Sequence, residues 1–144
     1  MRSEGRRRAQ LLDRCWSIYL WLTDVFTFAE TFHVEFPAAA EAALLSGTLH
    51  VVVPLTDQLI LSLREEYTFR EHRLEVSRYS YNVIDHTGDN LLRADNLPHH
   101  RLDYRGRALS HPPHHIHDER GRVRSFTGQV QDFIRSAKNL FSPP

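Results

Sequence analysis

Residues 74–95 read Leu-Glu-Val-Ser-Arg-Tyr-Ser-Tyr-Asn-Val-Ile-Asp-His-Thr-Gly-Asp-Asn-Leu-Leu-Arg-Ala-Asp, and the fold turns on them. Over Leu74–Asp85, Val76, Arg78, Ser80 and Asn82 fall on one face. Ser77, Tyr79, Tyr81 and Val83 fall on the other, the period of a half-buried strand. His86-Thr87-Gly88-Asp89 then supplies a hairpin turn, and Asn90–Asp95 returns beside the first strand. Moving toward the N-terminus, Gln58–Phe69 alternates Leu59, Leu61 and Leu63 against Ile60, Ser62 and Arg64. Thr56-Asp57 turns it back onto Leu49–Leu55, where Pro54 marks an early strand end or a sheet edge. Strands joined by short turns, with no crossover helix between them, pair antiparallel.

Helices flank this sheet. Ala9–Leu22 places Leu11, Leu12, Cys15, Trp16, Tyr19, Leu20 and Leu22 near helical spacing, after a polar, Arg-rich start expected to fray. Thr27–Phe36 alternates as a short strand ended by Pro37, and residues 38–45 form an Ala-rich helix closed by Ser46-Gly47. Beyond the central hairpin, His114–Asp118 reads as a short strand. Gly128–Leu140 carries Val130, Phe133, Ile134 and Ala137 on one helical stripe that needs a sheet to pack on. The expected fold is α+β, a single domain over residues 1–144, with an antiparallel sheet of about four to six strands. Residues 1–47 form its N-terminal helical and strand region. Residues 48–144 form the sheet, a His-rich loop and the C-terminal helix.

Composition narrows the function classes. The chain has 144 residues, enough for one core, and is 41% hydrophobic and 25% charged. Lys+Arg and Asp+Glu are both 18, so net charge announces neither a nucleic acid nor a membrane partner. Lys138 is the sole lysine among the basic residues, and there are 10 His. The single cysteine, Cys15, excludes an internal disulfide and a Cys-rich zinc module, and suits a reducing cytoplasm. The apolar run Cys15–Phe28 is broken by Asp24 and falls short of the roughly 20 residues a membrane span requires. Arg6-Arg7-Arg8 precedes it, but no small-residue cleavage site follows, so a cytoplasmic protein without a membrane partner is expected.

The unusual chemistry lies in residues 93–117. Arg93, Asp95, Asn96, His99, His100, Arg101, Arg105, Arg107, His111, His114, His115 and His117 share this segment with Pro98, Pro112 and Pro113. A proline-stiffened loop at a sheet end is a good platform for fixed polar side chains. One reading is general acid–base catalysis by imidazoles, with guanidinium stabilising charge on a phosphoryl oxygen, as metal-independent RNA cleavage requires. A second is a metal site drawn from His111, His114, His115 and His117 with Asp95 or Asp118. A third is a pH-dependent switch. Against these stands a solvated loop in an Arg-rich chain.

Residues 93–124 carry a modest excess of Arg over acids, sufficient to hold a phosphodiester but not a long duplex tightly. Tyr79 and Tyr81 share a strand face, where core packing is the default and base stacking the alternative. Trp16, Tyr19 and Trp21 surround more of the first helix than one stripe needs, which points to a partner surface or a homodimer.

Arg78-Tyr79-Ser80-Tyr81, then Leu92-Arg93-Ala94-Asp95-Asn96-Leu97-Pro98-His99-His100, then Pro113-His114-His115-Ile116-His117 resemble the motifs of the TumE-type family of prokaryotic toxins. That family pattern is a Tyr-x-Tyr strand, an Arg-aromatic-Asp-Asn-Ala-Pro-His-His motif and a later Pro-His-His-x-His motif. The resemblance covers roughly residues 48–135. Ala94 stands where the family has an aromatic, Leu97 where it has Ala, and Pro112 where Phe is common. The resemblance implies a toxin that acts on RNA and is paired with a small antitoxin. Combined with the residue chemistry, the expectation is a metal-independent endoribonuclease needing no cofactor. Its acid–base candidates are His99 or His100 with His114 or His115. Asp95 and Asn96 orient the loop or an imidazole, Arg78 and Arg93 sit on the phosphate, and Tyr81 contacts substrate. His117 and Glu65 stand in support. The alternatives are a metal-dependent hydrolase and a non-catalytic module that grips nucleic acid or an acidic partner.

Overall fold

The computed structural model describes residues 2–26, 33–35 and 45–140. In chain order it contains α1 (Arg2–Val25), β1 (His33–Glu35), β2 (Ser46–Pro54), β3 (Leu59–Arg70), β4 (Arg73–Asp85), β5 (Asn90–Asp95), β6 (His115–His117), β7 (Val123–Ser125) and α2 (Val130–Asn139). The seven strands form one sheet in the order β1 to β7, and each neighbouring pair is antiparallel. The architecture is α+β, as the hairpin signals predict. It has one strand more than expected, because Val123-Arg124-Ser125 in β7 is too short to display a period.

Alternation sorts the sheet into two faces. In β3, Leu61, Leu63, Glu65 and Tyr67 point to one side and are buried. Leu49, Val51 and Val53 of β2, Tyr79, Tyr81 and Val83 of β4, Leu92 and Ala94 of β5 and Ile116 of β6 share that side. Leu11, Ile18 and Leu22 of α1 cover it together with Val130, Phe133, Ile134 and Ala137 of α2. Fully burying a residue such as Phe133 or Ile134 contributes about 1.5–3 kcal/mol. The opposite face is polar and carries His50, Ser62, Arg64, Ser80, Asn82, Arg93, Asp95, His115 and His117 at alternate positions of the same strands.

Three local features depart from simple periodicity. Register shifts between Glu66 and Tyr67, which pair with Arg78 and Val76, so Ser77 is an extra bulged residue. Val76 therefore packs against the core and Ser77 is exposed, the reverse of uninterrupted alternation. The Asn96 amide pins this bulge: Oδ1 accepts from Tyr79 N at 3.1 Å and Nδ2 donates to Ser77 O at 3.1 Å. Next, β3 and β4 are joined through Glu71 (φ 50°) and His72 (φ 66°), both left-handed, where a twist-matched two-residue turn demands positive φ. Finally, α1 begins at Arg2 instead of fraying over its first residues, and Arg8 donates to Glu4 one turn earlier at 3.0 Å.

Two polar clamps dock α1. Gln10 Oε1 accepts from Leu74 N at 2.8 Å while its Nε2 donates to the His72 carbonyl, so the helix grips the β3–β4 turn. Arg14 donates to both Glu65 oxygens, from Nε at 2.9 Å and from NH2 at 2.6 Å, and the Tyr81 hydroxyl donates to the same carboxylate. The strand expected over 27–36 is represented by β1, paired with His50–Val52. The helix expected over 38–45 lies outside the described residues apart from its last position. No helix of the described residues is long and apolar enough to cross a membrane.

Candidate active site on the polar sheet face

β5 and β6 are neighbours in the sheet, yet residues 96–114 run between them, and this long connection folds back over the polar face. Cross-strand register sets Arg93 opposite His117 and Asp95 opposite His115. Because residues one apart point to opposite sides, His115 and His117 face the loop whereas Ile116 enters the core. The loop returns His99 and His100 onto them. Ring centroids lie 4.5 Å apart for His99–His100, 4.8 Å for His100–His115, 5.2 Å for His100–His117, 5.2 Å for His99–His115 and 5.1 Å for His115–His117. One nitrogen from each of these four imidazoles lies within 4.8 Å of the others.

Burial grades the cluster from floor to rim. His115 is completely buried, His100 and His117 are half-buried, and His99 is exposed. His115 Nδ1 lies 3.0 Å from the Pro113 carbonyl, which can only accept, so that nitrogen carries the proton and Nε2 is left for the cluster. Nε2 lies 3.3 Å from Asp95 Oδ1 but makes no aligned hydrogen bond. Asp95 is 1% exposed; its Oδ1 accepts from Leu97 N at 3.0 Å and its Oδ2 lies 3.2 Å from Arg93 Nε. Burial lowers the pKa of His100, and the charges of His115 and His99 lower it further. His117 is lowered by burial and by His115 and His100. Both rings are therefore biased toward neutral imidazole with a free lone pair.

Beside Asp95 the polar face opens into a cleft of 240 Å³ lined by Arg64, Glu66, Arg78, Ser80 and Arg93 among others. Arg64 pairs with Ser80 across β3–β4, Ser80 with Asp95, and Asp95 with His115, so one cross-strand row leads from guanidinium to imidazole. Among the described residues neither Arg64 nor Arg78 has a carboxylate partner within ion-pair distance. Arg64 carries no signal in the sequence, because only the register reveals its place on this row.

The remaining site residues are dispersed. His114 has the parity of Ile116 and turns to the other side, where its ring stacks on Tyr79 (centroids 5.6 Å, interplanar angle 9°) and Nδ1 lies 2.8 Å from the Tyr79 hydroxyl. Tyr79 in turn stacks on Tyr81 at 4.4 Å, and Tyr81 is buried with its hydroxyl on Glu65. These groups form an aromatic column inside the core, with Tyr81 sealed from solvent. His111 is exposed on the loop and outside the four-imidazole cluster, so the structure assembles His99, His100, His115 and His117 in place of the set 111, 114, 115 and 117. Asn96 acts on the β4 bulge, and Glu65 lies beneath α1 on the opposite side of the sheet from the cluster.

No curated protein and no solved structure matches the chain. A family model described as Toxin TumE matches residues 24–140, a span that contains the Tyr-x-Tyr strand, both His-His motifs and the whole polar face. The chain belongs to the TumE toxin family and is the toxin of a toxin–antitoxin pair.

Proposed function

We propose that this toxin is a metal-independent endoribonuclease whose site is the polar sheet face. The observation that carries the reading is four imidazoles gathered at the end of an arginine-lined cleft. Arg78 and Arg93, joined by Arg64, hold the phosphodiester and stabilise charge developing on its non-bridging oxygens. His100 or His117, held toward the neutral form, takes the proton of the ribose 2′-hydroxyl, whose oxygen then attacks phosphorus. Exposed His99 returns a proton to the departing 5′-oxygen. His115, fixed between the Pro113 carbonyl and Asp95, positions the rings around it. The products are a 2′,3′-cyclic phosphate end and a 5′-hydroxyl end.

Purified toxin incubated with total and ribosomal RNA in EDTA tests this. Cleavage leaving cyclic phosphate ends is expected, reduced about 10²- to 10⁴-fold in His100→Ala or His117→Ala variants that retain the native circular dichroism spectrum. Intact RNA under these conditions overturns the reading.

A further inference from the structure

We infer that His99, His100, His115 and His117 form a tetrahedral site for a zinc-class divalent ion, and that occupancy switches the toxin off. The switching clause rests on the ribonuclease reading; the site itself does not. Zinc–nitrogen bonds of about 2.0–2.1 Å arranged tetrahedrally put imidazole centres about 5 Å apart. Five of the six ring pairs, all but His99–His117, lie 4.5 to 5.2 Å apart. The rings meet at steep angles, 57° to 78°, as ligands converging on a point do and as stacked rings do not. The four donor nitrogens already lie within 4.8 Å of one another, so side-chain rotation suffices to close them on an ion.

A second observation points the same way. His115 is fully buried, and donation from its Nδ1 to a backbone carbonyl is the arrangement that holds a metal-binding histidine in the correct tautomer. Its Nε2 is buried without a hydrogen-bond partner. That nitrogen faces Asp95 Oδ1 at 3.3 Å without an aligned hydrogen bond, so an ion held there would meet a buried ring nitrogen beside a buried carboxylate. An all-imidazole donor set selects zinc, copper or nickel over magnesium or calcium, which demand oxygen ligands. Catalytic zinc sites keep one position open, whereas four nitrogens close the tetrahedron. The bound ion has no place for an attacking water, and no imidazole of the cluster keeps a lone pair to accept a proton.

Metal-stripped toxin titrated with zinc chloride, followed by calorimetry and by X-ray absorption at the zinc edge, tests the site without RNA. One ion per chain with a shell of nitrogen ligands is expected, with affinity falling at least about tenfold in His100→Ala and in His117→Ala. His111→Ala and His86→Ala, which change imidazoles outside the cluster, should bind as the parent does. No stoichiometric binding, or equal loss in the His111→Ala variant, overturns the site. In the RNA assay, equimolar zinc should stop cleavage and EDTA restore it; faster cleavage with zinc overturns the switch. Stoichiometric zinc binding by a toxin that cuts no RNA with or without zinc would remove the ribonuclease reading, and the switch with it, while leaving the ion site in place. Cleavage unaffected by equimolar zinc would remove the switch while leaving the ribonuclease reading in place.

Discussion

Asp118 shows how one carboxylate organises the far end of the polar face. Its Oδ1 accepts from the backbone of Arg120 and Arg122, each at 2.9 Å, and its Oδ2 from Arg122 Nε at 3.0 Å and Arg124 Nε at 2.8 Å. Burial pushes this carboxyl up, but the hydrogen bonds outweigh burial and hold it well below the usual carboxylate range. A carboxyl depressed in the folded state contributes stability that is full above its unfolded value, about 3.9, and is lost as pH falls toward the folded one. Asp118→Asn should therefore cost about 1–3 kcal/mol in urea unfolding at neutral pH. The gap to the parent should narrow below about pH 4. A gap independent of pH would show that the charge is not what matters. Gly128 is a second informative residue. It adopts φ +85°, and a Cβ there would sit 2.6 Å from His114 Nδ1. Gly128→Ala should lower the melting temperature and displace His114 from Tyr79, visible as a change in the near-ultraviolet aromatic spectrum; an unchanged spectrum would contradict the packing role given to His114.

At the scale of elements, the β3–β4 hairpin turns on Glu71 and His72, side chains poorly suited to left-handed backbone. The double substitution Glu71→Asn with His72→Gly should stabilise the protein by about 1–2 kcal/mol, because the I′ turn favours an Asn-Gly dipeptide. A fall in melting temperature would show that the native pair is held by more than the turn. The α1–sheet contact includes the Arg14–Glu65 pair, whose carboxylate is buried and whose guanidinium is part-buried. Arg14→Ala leaves the Glu65 carboxylate buried without its cation, and should cost about 3–5 kcal/mol in chemical denaturation. The triple variant Arg14→Met/Glu65→Leu/Tyr81→Phe, which also removes the hydroxyl that donates to Glu65, should recover most of that; a loss below about 1 kcal/mol in the single variant would mean that α1 docks without this pair. These elements also show what was legible in the sequence. Period-two alternation and turn residues delimit β2 to β5 within a few residues, and the 3.6-residue stripe delimits α2. The Ser77 bulge was hidden because a bulge leaves composition unchanged while reversing parity. β7 was hidden because three residues carry no period.

For the whole molecule, the decisive fact is that one antiparallel sheet separates two chemistries. Helices bury its apolar side, and the connection between β5 and β6 delivers two histidines onto its polar side. The sequence marks 93–117 as the chemically loaded segment, and its paired His-His motifs supply all four members of the cluster. Which histidines meet is a matter of parity and loop return: adjacent His114 and His115 part to opposite faces, while His99 and His100 come back over His115 and His117. Spacing along the chain cannot express that return, and for the same reason Arg64 gave no signal. Two adjacent cross-strand rows, Arg64–Ser80–Asp95–His115 and Asn82–Arg93–His117, bring arginines and imidazoles onto one face, and the proposed function stands or falls with the action of that face on RNA. The measurement that tests it most directly is cleavage of total RNA in EDTA by purified toxin, with product ends mapped, beside the folded His100→Ala variant. The account predicts 2′,3′-cyclic phosphate ends from the parent and a loss of about 10²- to 10⁴-fold in the variant. Equal cleavage by both proteins, or none by either, would contradict it.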